Sequence, residues 1–111
     1  MAMLTSYSEQ APARAEVDAL KGATLLEFGT DWCGHCQSAQ PYLTKAFADH
    51  QDLRHLKIGD GPGRALGRSF RVKLWPTLIL LRQGEELARL VRPTSTAQIA
   101  QVLALAGGKD A

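Results

Sequence analysis

Cysteine is scarce in this sequence, with only two in 111 residues. A framework of several disulfides is therefore excluded, although a chain of this length can bury a core without such support. Long apolar runs are also missing, and none approaches the roughly 20 residues that a transmembrane helix needs. Internal repeats, heptads and low-complexity tracts are absent. These absences predict one globular domain over residues 1–111, and they leave the two cysteines available for chemistry.

A secretory signal peptide is also missing. The first ten residues lack the basic start and the apolar stretch of such a signal. We therefore expect a cytoplasmic protein, or a periplasmic or exported one if a leader has been removed from the chain.

Excess charge of one sign is absent too, since 13 basic residues stand against 11 acidic ones and the formal net charge is +2. Basic residues cluster between residues 54 and 92, and Arg64, Arg68 and Arg71 share one face if that stretch is helical. No aromatic residues alternate with them, and no Gly-rich RNA-binding loop accompanies them. We interpret the cluster as a solvated helix face and expect neither nucleic acid nor a membrane as a partner.

Hydrophobic periodicity predicts eight elements in the order α, β, α, β, α, β, β, α. Strands are expected at residues 24–28, 53–58, 77–81 and 87–91. Helices are expected at residues 12–21, 36–47 and 64–70, and from a cap at Thr94 or Ser95 to a stop at 107–108. The first and third strands are apolar on both faces, which is typical of central strands. A leading helical segment, 1–22, thus precedes a core of residues 23–108.

The central motif is DWCGHCQ, residues 31–37, in which two residues separate Cys33 from Cys36. This spacing suits a zinc site, a structural disulfide or a redox pair. For zinc, the spacing Cys-x2-Cys-x13-His-x4-His with His50 and His55 is close to that of a zinc finger. However, Cys33 follows a buried strand and His55 falls within a strand pattern. We therefore disfavour a metal site and expect two surface histidines.

A structural disulfide is a weak alternative, because a bridge across so short a loop removes little chain entropy. A redox pair fits better. Cys33 would begin a helix, whose free N–H groups and dipole favour a thiolate. Cys36 would lie one turn into the helix as a buried thiol. Cys33 is thus the candidate nucleophile, and Cys36 is the candidate resolving cysteine.

Two stretches carry a resemblance to the thioredoxin family. TLLEFGTDWCGHCQSAQPYL, residues 24–43, is similar to the family's active-site segment, with an acid-bearing strand, a Trp before the first Cys and a Pro five residues after the second. WPTLILLRQGE, residues 75–85, resembles the family's second signature, a cis-proline loop that leads into a strand and a hairpin. The resemblance implies an α/β thioredoxin fold, with a central mixed sheet of four or five strands flanked by helices.

The resemblance also implies roles for single residues. Glu27 matches the family's buried acid beneath the resolving thiol, where it accepts a proton through water, and Lys57 or His55 would lie beside it. Pro76 matches the cis-proline, whose backbone would pair with substrate, and Pro41 matches the proline that kinks the helix. Further support of the site is expected from Trp32, Gly34 and His35, and substrate contacts are expected from Trp32, Trp75, Pro76, Thr77 and Arg92.

Three positions depart from the family's pattern. Gly29 stands where many thioredoxins have a Trp, so one packing partner of the site is missing. Trp75 replaces the usual small aliphatic residue before the cis-proline, and Arg92-Pro93 lies near the usual Gly that faces the site. These differences alter the substrate-contact surface.

The sequence therefore predicts a thiol-disulfide oxidoreductase that acts on protein substrates, with no bound cofactor, no metal and an external reductase or oxidant. We expect a monomer and, from the cytoplasmic default, a reductase. His35 favours another direction, because CGHC resembles protein disulfide isomerases and an imidazole beside a thiolate makes the disulfide a stronger oxidant. An isomerase or oxidase of an oxidising compartment is thus one alternative, and a non-enzymatic redox-sensing or binding module is another.

Overall fold

A computed structural model describes residues 3–107 of the chain. Helices and strands follow one another in the predicted order. The helices are α1 (Arg14–Asp18), α2 (Gly34–Phe47), α3 (Ala65–Ser69) and α4 (Thr96–Ala104). The strands are β1 (Ala23–Gly29), β2 (Arg54–Gly59), β3 (Thr77–Arg82) and β4 (Glu85–Val91). Within the described range, no helix has the length and apolar character of a membrane span.

The strands form one mixed sheet in the order β2-β1-β3-β4. β1 runs parallel to β2 and antiparallel to β3, and β3 runs antiparallel to β4. This is the mixed four-stranded sheet flanked by helices that the resemblance implies. The option of a fifth strand reduces to a single parallel bridge between Ser8 and Ile58 at the outer edge of β2.

β1 and β3 occupy the centre of the sheet because their apolar runs can be buried on both faces. All seven residues of β1 are buried, and the two-residue period of a strand sends their side chains to opposite layers. Leu25 packs with α2 and α4, whereas Leu26 packs with α1 and α3. Two hydrophobic clusters therefore hold the sheet between the helices.

The leading segment is less helical than predicted. The prediction placed a helix at residues 12–21, but α1 comprises only Arg14–Asp18. One residue of α1 is buried, so tertiary packing supports little more than a single turn. Before α1 the chain runs along β2, where the Ser8 N–H donates to the Lys57 carbonyl and the Gly59 N–H donates to the Ser8 carbonyl, both at 2.8 Å. This segment therefore adds to the sheet edge.

The last helix follows the prediction closely. The Ser95 hydroxyl accepts the Gln98 N–H at 3.2 Å and caps the N-terminus of α4. Shortly after the helix, Gly107 has the positive φ of 75° that a helix stop favours. The second predicted stop residue, Gly108, lies outside the described residues.

Candidate active site

The two cysteines lie at the start of α2, after the loop that follows β1. Cys33 is the N-terminal cap of the helix, and its sulfur accepts the backbone N–H of Cys36 at 3.2 Å. Cys33 is 9% exposed and Cys36 is 1% exposed. Both thiols are therefore largely buried, but Cys33, at the cap, is the more accessible of the two, and Cys36 lies one turn into the helix, as the sequence predicts.

Pro41 lies within α2, and the helix continues beyond it to Phe47, as predicted. Because proline has no N–H, the helix loses the hydrogen bond to the Gln37 carbonyl at this point. The apolar stripe resumes on the far side, where Leu43 and Phe47 are buried. Packing of this stripe on the sheet therefore stabilises the helix despite the missing bond.

The cis-proline loop lies beside the cysteines. The Trp75–Pro76 peptide is cis, which confirms the prediction. The Trp75 side chain packs against a cluster that contains both cysteines, and its indole Nε1 donates to Asp60 Oδ2 at 2.9 Å. Trp32 meets this indole edge-on, with 5.9 Å between ring centroids, and is itself 75% exposed. The two tryptophans thus form an apolar surface next to Cys33.

Arg92 also reaches this loop. Its backbone N–H donates to the Pro76 carbonyl and its Nε donates to the Trp75 carbonyl, both at 2.9 Å. These bonds hold Arg92 at a φ of 50°, which suits glycine better. Thr77, in contrast, is buried in β3, and its hydroxyl donates to the Leu74 carbonyl at 2.6 Å. The Thr77 side chain is therefore not exposed for the substrate contact that the sequence predicts.

A buried carboxylate, Glu27, forms the polar centre of the site. Its Oε2 accepts the Tyr7 hydroxyl (2.5 Å), Lys57 Nζ (3.0 Å) and Gln40 Nε2 (3.0 Å). Its Oε1 lies 2.9 Å from His55 Nε2. Burial raises the pKa of Glu27, but the hydrogen bond from His55 and the charge of Lys57 outweigh burial and lower it to about 2. The carboxylate is therefore ionised at neutral pH.

The prediction of a surface histidine at His55 is wrong. His55 is fully buried, and its ring centroid lies 4.9 Å from that of Phe47. β2 turns His55 and Lys57 into the protein, where Glu27 compensates for the loss of water around them. The second ring nitrogen, Nδ1, accepts the Leu4 N–H at 2.9 Å. Nε2 therefore carries the proton that is donated to Glu27.

The cysteines and histidines whose spacing resembles a zinc finger do not form a metal-binding cluster among the described residues. Both ring nitrogens of His55 are engaged elsewhere, and His50 lies beyond the end of α2. Among residues 3–107, no three side chains of metal-ligating types cluster. Cys33 and Cys36 therefore stand as a pair of thiols.

Lys57 and His55 both lie beside Glu27, although the prediction offered them as alternatives. Lys57 is buried, its Nζ also donates to Gln40 Oε1 at 2.7 Å, and it lies 4.2 Å from the centre of the Tyr7 ring. An ammonium over an aromatic face gains a cation–π interaction. The lysine thus links the carboxylate, the amide and the phenol in one network.

Tyr7 is a site residue that the sequence patterns did not predict. It belongs to the extended leading segment, is 8% exposed and packs with both cysteines. Its hydroxyl lies over Gly29, where an added Cβ would be 2.5 Å from the Cys36 sulfur and 2.8 Å from the Tyr7 oxygen. The Trp that many family members carry at this position would collide with both. Gly29 was therefore the available signal, because a missing side chain near a buried acid indicates that another residue fills the space.

Gln40 was missed as well. It lies one turn after Cys36 on α2, and its Nε2 donates to the Cys36 carbonyl at 2.8 Å as well as to Glu27. The signal was the four-residue spacing, which puts the two residues on one face of the helix. Gln40 therefore connects the resolving cysteine to the buried acid through the helix backbone.

The surroundings of Cys36 keep this residue protonated. Burial raises the pKa of the Cys36 thiol to about 11, with a smaller contribution in the same direction from its hydrogen bond with Cys33. The nearby Tyr7 hydroxyl opposes the increase in the pKa of Cys36. Burial and the Glu27 charge raise the pKa of Tyr7, so the phenol also keeps its proton.

Gly34 and His35 occupy the first turn of α2 and are exposed. An added Cβ at Gly34 meets no atom within 4 Å, so the supporting role predicted for this glycine has no steric basis. His35 lies outside the buried network around Glu27. An effect of His35 on the cysteines would thus be electrostatic and subject to screening by salt, and it stays a prediction.

The chain is similar to known proteins of one family. A family model described as Thioredoxin matches residues 6–105. The structure superposes on thioredoxin 2 from Pseudomonas aeruginosa PAO1 in its reduced form with a TM-score of 0.84 and 58% sequence identity, covering 92% of this chain and 94% of that chain. It also superposes on Trxlp from Edwardsiella tarda EIB202 with a TM-score of 0.69 and 32% identity, covering 80% of this chain and 88% of that chain.

A curated relative, Thioredoxin H2-1 of Oryza sativa subsp. japonica, is 32% identical over 77 residues, which cover 67% of this chain and 56% of that protein. The chain spans little more than half of the length of the first curated relatives that it matches. The similarity to these relatives is therefore limited to the aligned part of each protein.

Proposed function

This chain belongs to the thioredoxin family, and from that membership we propose that it is a thiol-disulfide oxidoreductase that acts on protein substrates as a reductase. The observation that carries the proposal is the asymmetry of the cysteine pair: Cys33 caps α2 and keeps a small exposed fraction of 9%, whereas Cys36, one turn later, is 1% exposed. Free N–H groups at the start of a helix favour a negative charge on the capping sulfur. Cys33 is thus arranged to attack, and Cys36 is held as a thiol.

The exchange proceeds in two steps. The Cys33 thiolate attacks one sulfur of a substrate disulfide, so that a Cys33–substrate bond forms and the electron pair leaves with the second substrate sulfur, which takes a proton from water. Cys36 then loses its proton and attacks the Cys33 sulfur. The Cys33–Cys36 bond forms, the bond to the substrate breaks, and the departing thiolate is protonated. The substrate gains two electrons and two protons, and an external reductase restores the dithiol.

The surroundings of Cys33 support the binding of an extended polypeptide. Trp32 and Trp75 offer apolar contacts on one side of the sulfur. The cis-proline loop places extended backbone beside the cysteines, where a substrate strand would lie. Arg92, which is exposed and bonded to the Trp75 carbonyl, adds a positive charge at the edge of this surface.

The direction of the reaction rests on two opposed observations. Similarity to a thioredoxin at 58% identity supports reduction. The CGHC motif, with His35 between the cysteines, supports an isomerase or oxidase in an oxidising compartment, which is the second candidate function.

Insulin reduction tests the proposal. With dithiothreitol as the electron source, the wild-type protein is expected to shorten the lag before insulin precipitates, and Cys33→Ser is expected to abolish this effect. Cys36→Ser is expected to accumulate a mixed disulfide with insulin, visible on a non-reducing gel. No acceleration over dithiothreitol alone would favour a binding or redox-sensing module.

The reduction potential of the Cys33–Cys36 couple separates the two enzymatic directions. Equilibration with glutathione is expected to give a value near the roughly −270 mV of thioredoxins. A value between about −180 and −120 mV would contradict the reductase and support the isomerase or oxidase.

A further inference from the structure

We propose that Tyr7 is a positioning residue for the second step of the exchange: its hydroxyl, held beside the Cys36 sulfur by Glu27, turns its one hydrogen bond from the carboxylate to the ionised sulfur of Cys36. The inference rests on the oxidoreductase function proposed above. It assigns a role in that chemistry to the leading segment, which lies outside both sequence motifs.

The phenol of Tyr7 meets three ionisable groups from three elements. Its oxygen donates to Glu27 Oε2 on β1 at 2.5 Å, and Lys57 Nζ on β2 lies 4.2 Å from the centre of its ring. The phenol oxygen and the Cys36 sulfur on α2 converge over Gly29, at 2.8 and 2.5 Å from the point where a Cβ would lie. Tyr7 therefore connects the buried carboxylate with the resolving thiol.

The backbone of the leading segment holds the phenol in this position. The Tyr7 N–H donates to Asp31 Oδ1 at 3.1 Å. The next residue, Ser8, bonds to Lys57 and Gly59 on the edge of β2. A side chain fixed in this way loses little further entropy when it engages a charged sulfur.

Glu27 acts here as the anchor of the phenol. With a pKa lowered to about 2, chiefly by His55 and Lys57 against the effect of burial, this carboxylate is a poor store for the proton of Cys36. It is instead a strong acceptor that holds the Tyr7 hydroxyl beside the sulfur while Cys36 is protonated. When the hydroxyl turns to the sulfur, Gln40, His55 and Lys57 still bond the carboxylate.

The atoms of the step balance without a new co-reactant. Cys36 releases its proton to water, and the Tyr7 hydroxyl turns from Glu27 to donate its hydrogen bond to the resulting thiolate. The thiolate then attacks the Cys33 sulfur, the Cys33–Cys36 bond forms, and the substrate sulfur leaves with the electron pair. The leaving thiolate takes a proton from water, so no net charge accumulates.

Tyr7→Phe is the direct test, because it keeps the ring and removes the hydroxyl. Reaction of the reduced protein with excess 5,5′-dithiobis(2-nitrobenzoate) releases one thionitrobenzoate when Cys33 is modified and a second when Cys36 resolves the mixed disulfide. In Tyr7→Phe we expect the first phase to stay within about twofold and the second to slow by about tenfold or more, since hydrogen bonds to charged groups are among the stronger ones.

The control is Tyr42→Phe, which removes the hydroxyl of the other tyrosine, on the far part of α2. Both phases are expected to match the wild type. Replacing Tyr7 by 3-fluorotyrosine in the Tyr42→Phe background keeps a hydroxyl and strengthens it as a donor. This protein is expected to retain the fast second phase. A slow second phase in Tyr7→Phe together with a fast one here would assign the effect to the hydroxyl, because both proteins keep the aromatic ring.

Two results would overturn the role of Tyr7. One is a second phase of wild-type speed in Tyr7→Phe, and the other is an equal slowing of both phases, which would indicate a general disturbance of the site. A wild-type protein that shows no second phase would instead contradict the oxidoreductase function. The two proposals therefore fail in different ways.

A separate observation carries a second inference, which concerns a basic cavity beside the tryptophans. The cavity has a volume of about 480 Å³ and is lined by Trp75 and four cationic residues, Arg64, Arg68, Arg71 and Lys73. Its one acidic residue, Asp60, is engaged by the Trp75 indole. α3 covers only Ala65–Ser69, so of these cations only Arg68 lies within the helix, and the exposed Arg68, Arg71 and Lys73 are solvated while they line the cavity.

From this basic cavity we infer that the protein prefers disulfides flanked by acidic residues in the substrate polypeptide. Trp75 borders both the cavity and the cluster of Cys33 and Cys36. A substrate chain that passes Cys33 along the cis-proline loop would thus bring its flanking residues to the cations. Attraction between the cations of the cavity and acidic residues of the substrate adds to substrate binding and to the rate of encounter.

Two fluorogenic disulfide peptides, identical except for three Asp or three Lys beside the cysteine, test the preference. We expect kcat/KM to favour the acidic peptide by about three- to tenfold at low ionic strength and the ratio to approach one at high salt. Arg68→Gln/Lys73→Gln is expected to lose most of the ratio. Lys21→Gln/Lys45→Gln, which changes the net charge equally at sites away from the cavity, is expected to keep it.

Equal kcat/KM for the two peptides in the wild type would overturn this inference. An equal reduction of the kcat/KM ratio in both double variants would also overturn it, because the preference would then result from the net charge of the protein and not from the cavity. Failure to reduce either peptide would contradict the oxidoreductase function itself.

Discussion

Glu27 shows at the level of one residue how this protein keeps a charge in its interior. Moving a carboxylate out of water costs several kcal/mol unless hydrogen bonds and opposite charge replace the solvent. Donors from α2, β2 and the leading segment do so here: Gln40, His55, Lys57 and Tyr7. Because His55, Lys57 and Tyr7 are themselves buried, loss of the carboxylate is expected to cost more than loss of an exposed ion pair.

Unfolding in acid tests the ionisation of Glu27. The pKa of this residue is 4.5 in an ordinary setting and about 2 in the fold. Between these values the unfolded chain binds a proton that the native state does not, so the stability contributed by Glu27 is complete above its ordinary pKa and is lost as pH falls toward its folded pKa. Urea unfolding is expected to show a decrease of up to about 1.4 kcal/mol per pH unit from this residue.

Two glutamine variants isolate that contribution. Glu27→Gln is expected to be less stable at neutral pH and to show a flatter acid dependence of the free energy of unfolding. Glu85→Gln, at an exposed position on β4, is expected to keep the wild-type dependence. The same slope in Glu27→Gln as in the wild type would contradict the lowered pKa.

His35→Pro tests the imidazole between the two cysteines. Its removal is expected to make the reduction potential more negative by about 30 mV, equivalent to about 1.4 kcal/mol, because positive charge on an imidazole favours the reduced pair. His50→Ala removes an imidazole beyond the end of α2 and is expected to leave the potential unchanged. A potential that does not move in His35→Pro would mean that the exposed side chain is screened, and the oxidising alternative would lose its support.

Among the elements, the β3–β4 hairpin shows what a tight turn requires. Gln83 and Gly84 have φ angles of 51° and 81°, the left-handed pair that fits the twist of a two-residue hairpin. A Cβ at Gly84 would lie 2.3 Å from the Asp18 carbonyl. The turn therefore packs directly against the end of α1, and Gly84 is required for its conformation and for this contact.

Substitutions in this turn are expected to have opposite signs. Gln83→Asn is expected to raise the free energy of unfolding by about 0.5 kcal/mol, because asparagine tolerates the left-handed conformation better. Gly84→Ala is expected to lower it by about 2 kcal/mol or more, from backbone strain and the collision with Asp18. Denaturant unfolding of both variants measures the difference, and a change of the same sign in both would contradict the turn geometry.

Across the whole molecule, sequence reasoning succeeds where the relevant residues are close along the chain. The central strands follow from short apolar runs, and the cysteine pair and the cis peptide before Pro76 follow from local motifs. Tyr7 and His55 escape such reasoning because their burial depends on Glu27, which is 20 and 28 residues away in sequence, respectively. The length of α1 was overestimated for a similar reason, since its packing partners on the sheet decide where the helix ends.

The leading segment joins parts of the molecule that are distant in sequence. Leu4 donates its N–H to His55, Tyr7 donates to Glu27, and Ser8 pairs with the edge of β2. Two of these bonds complete the buried polar network, so the segment contributes to the stability of the whole fold as well as to the site.

Removal of residues 1–9 is therefore expected to lower the free energy of unfolding by at least about 3 kcal/mol, because it leaves a buried charge network without two of its partners. Leu4→Ala is the matched control: its side chain is partly exposed, and the variant retains the backbone N–H that bonds to His55. This variant is expected to change the free energy of unfolding by less than about 0.5 kcal/mol. Urea unfolding of the three proteins measures both effects. A deletion no more costly than Leu4→Ala would contradict the view that the leading segment closes the network, since the buried charge would then be satisfied by β1, β2 and α2 alone.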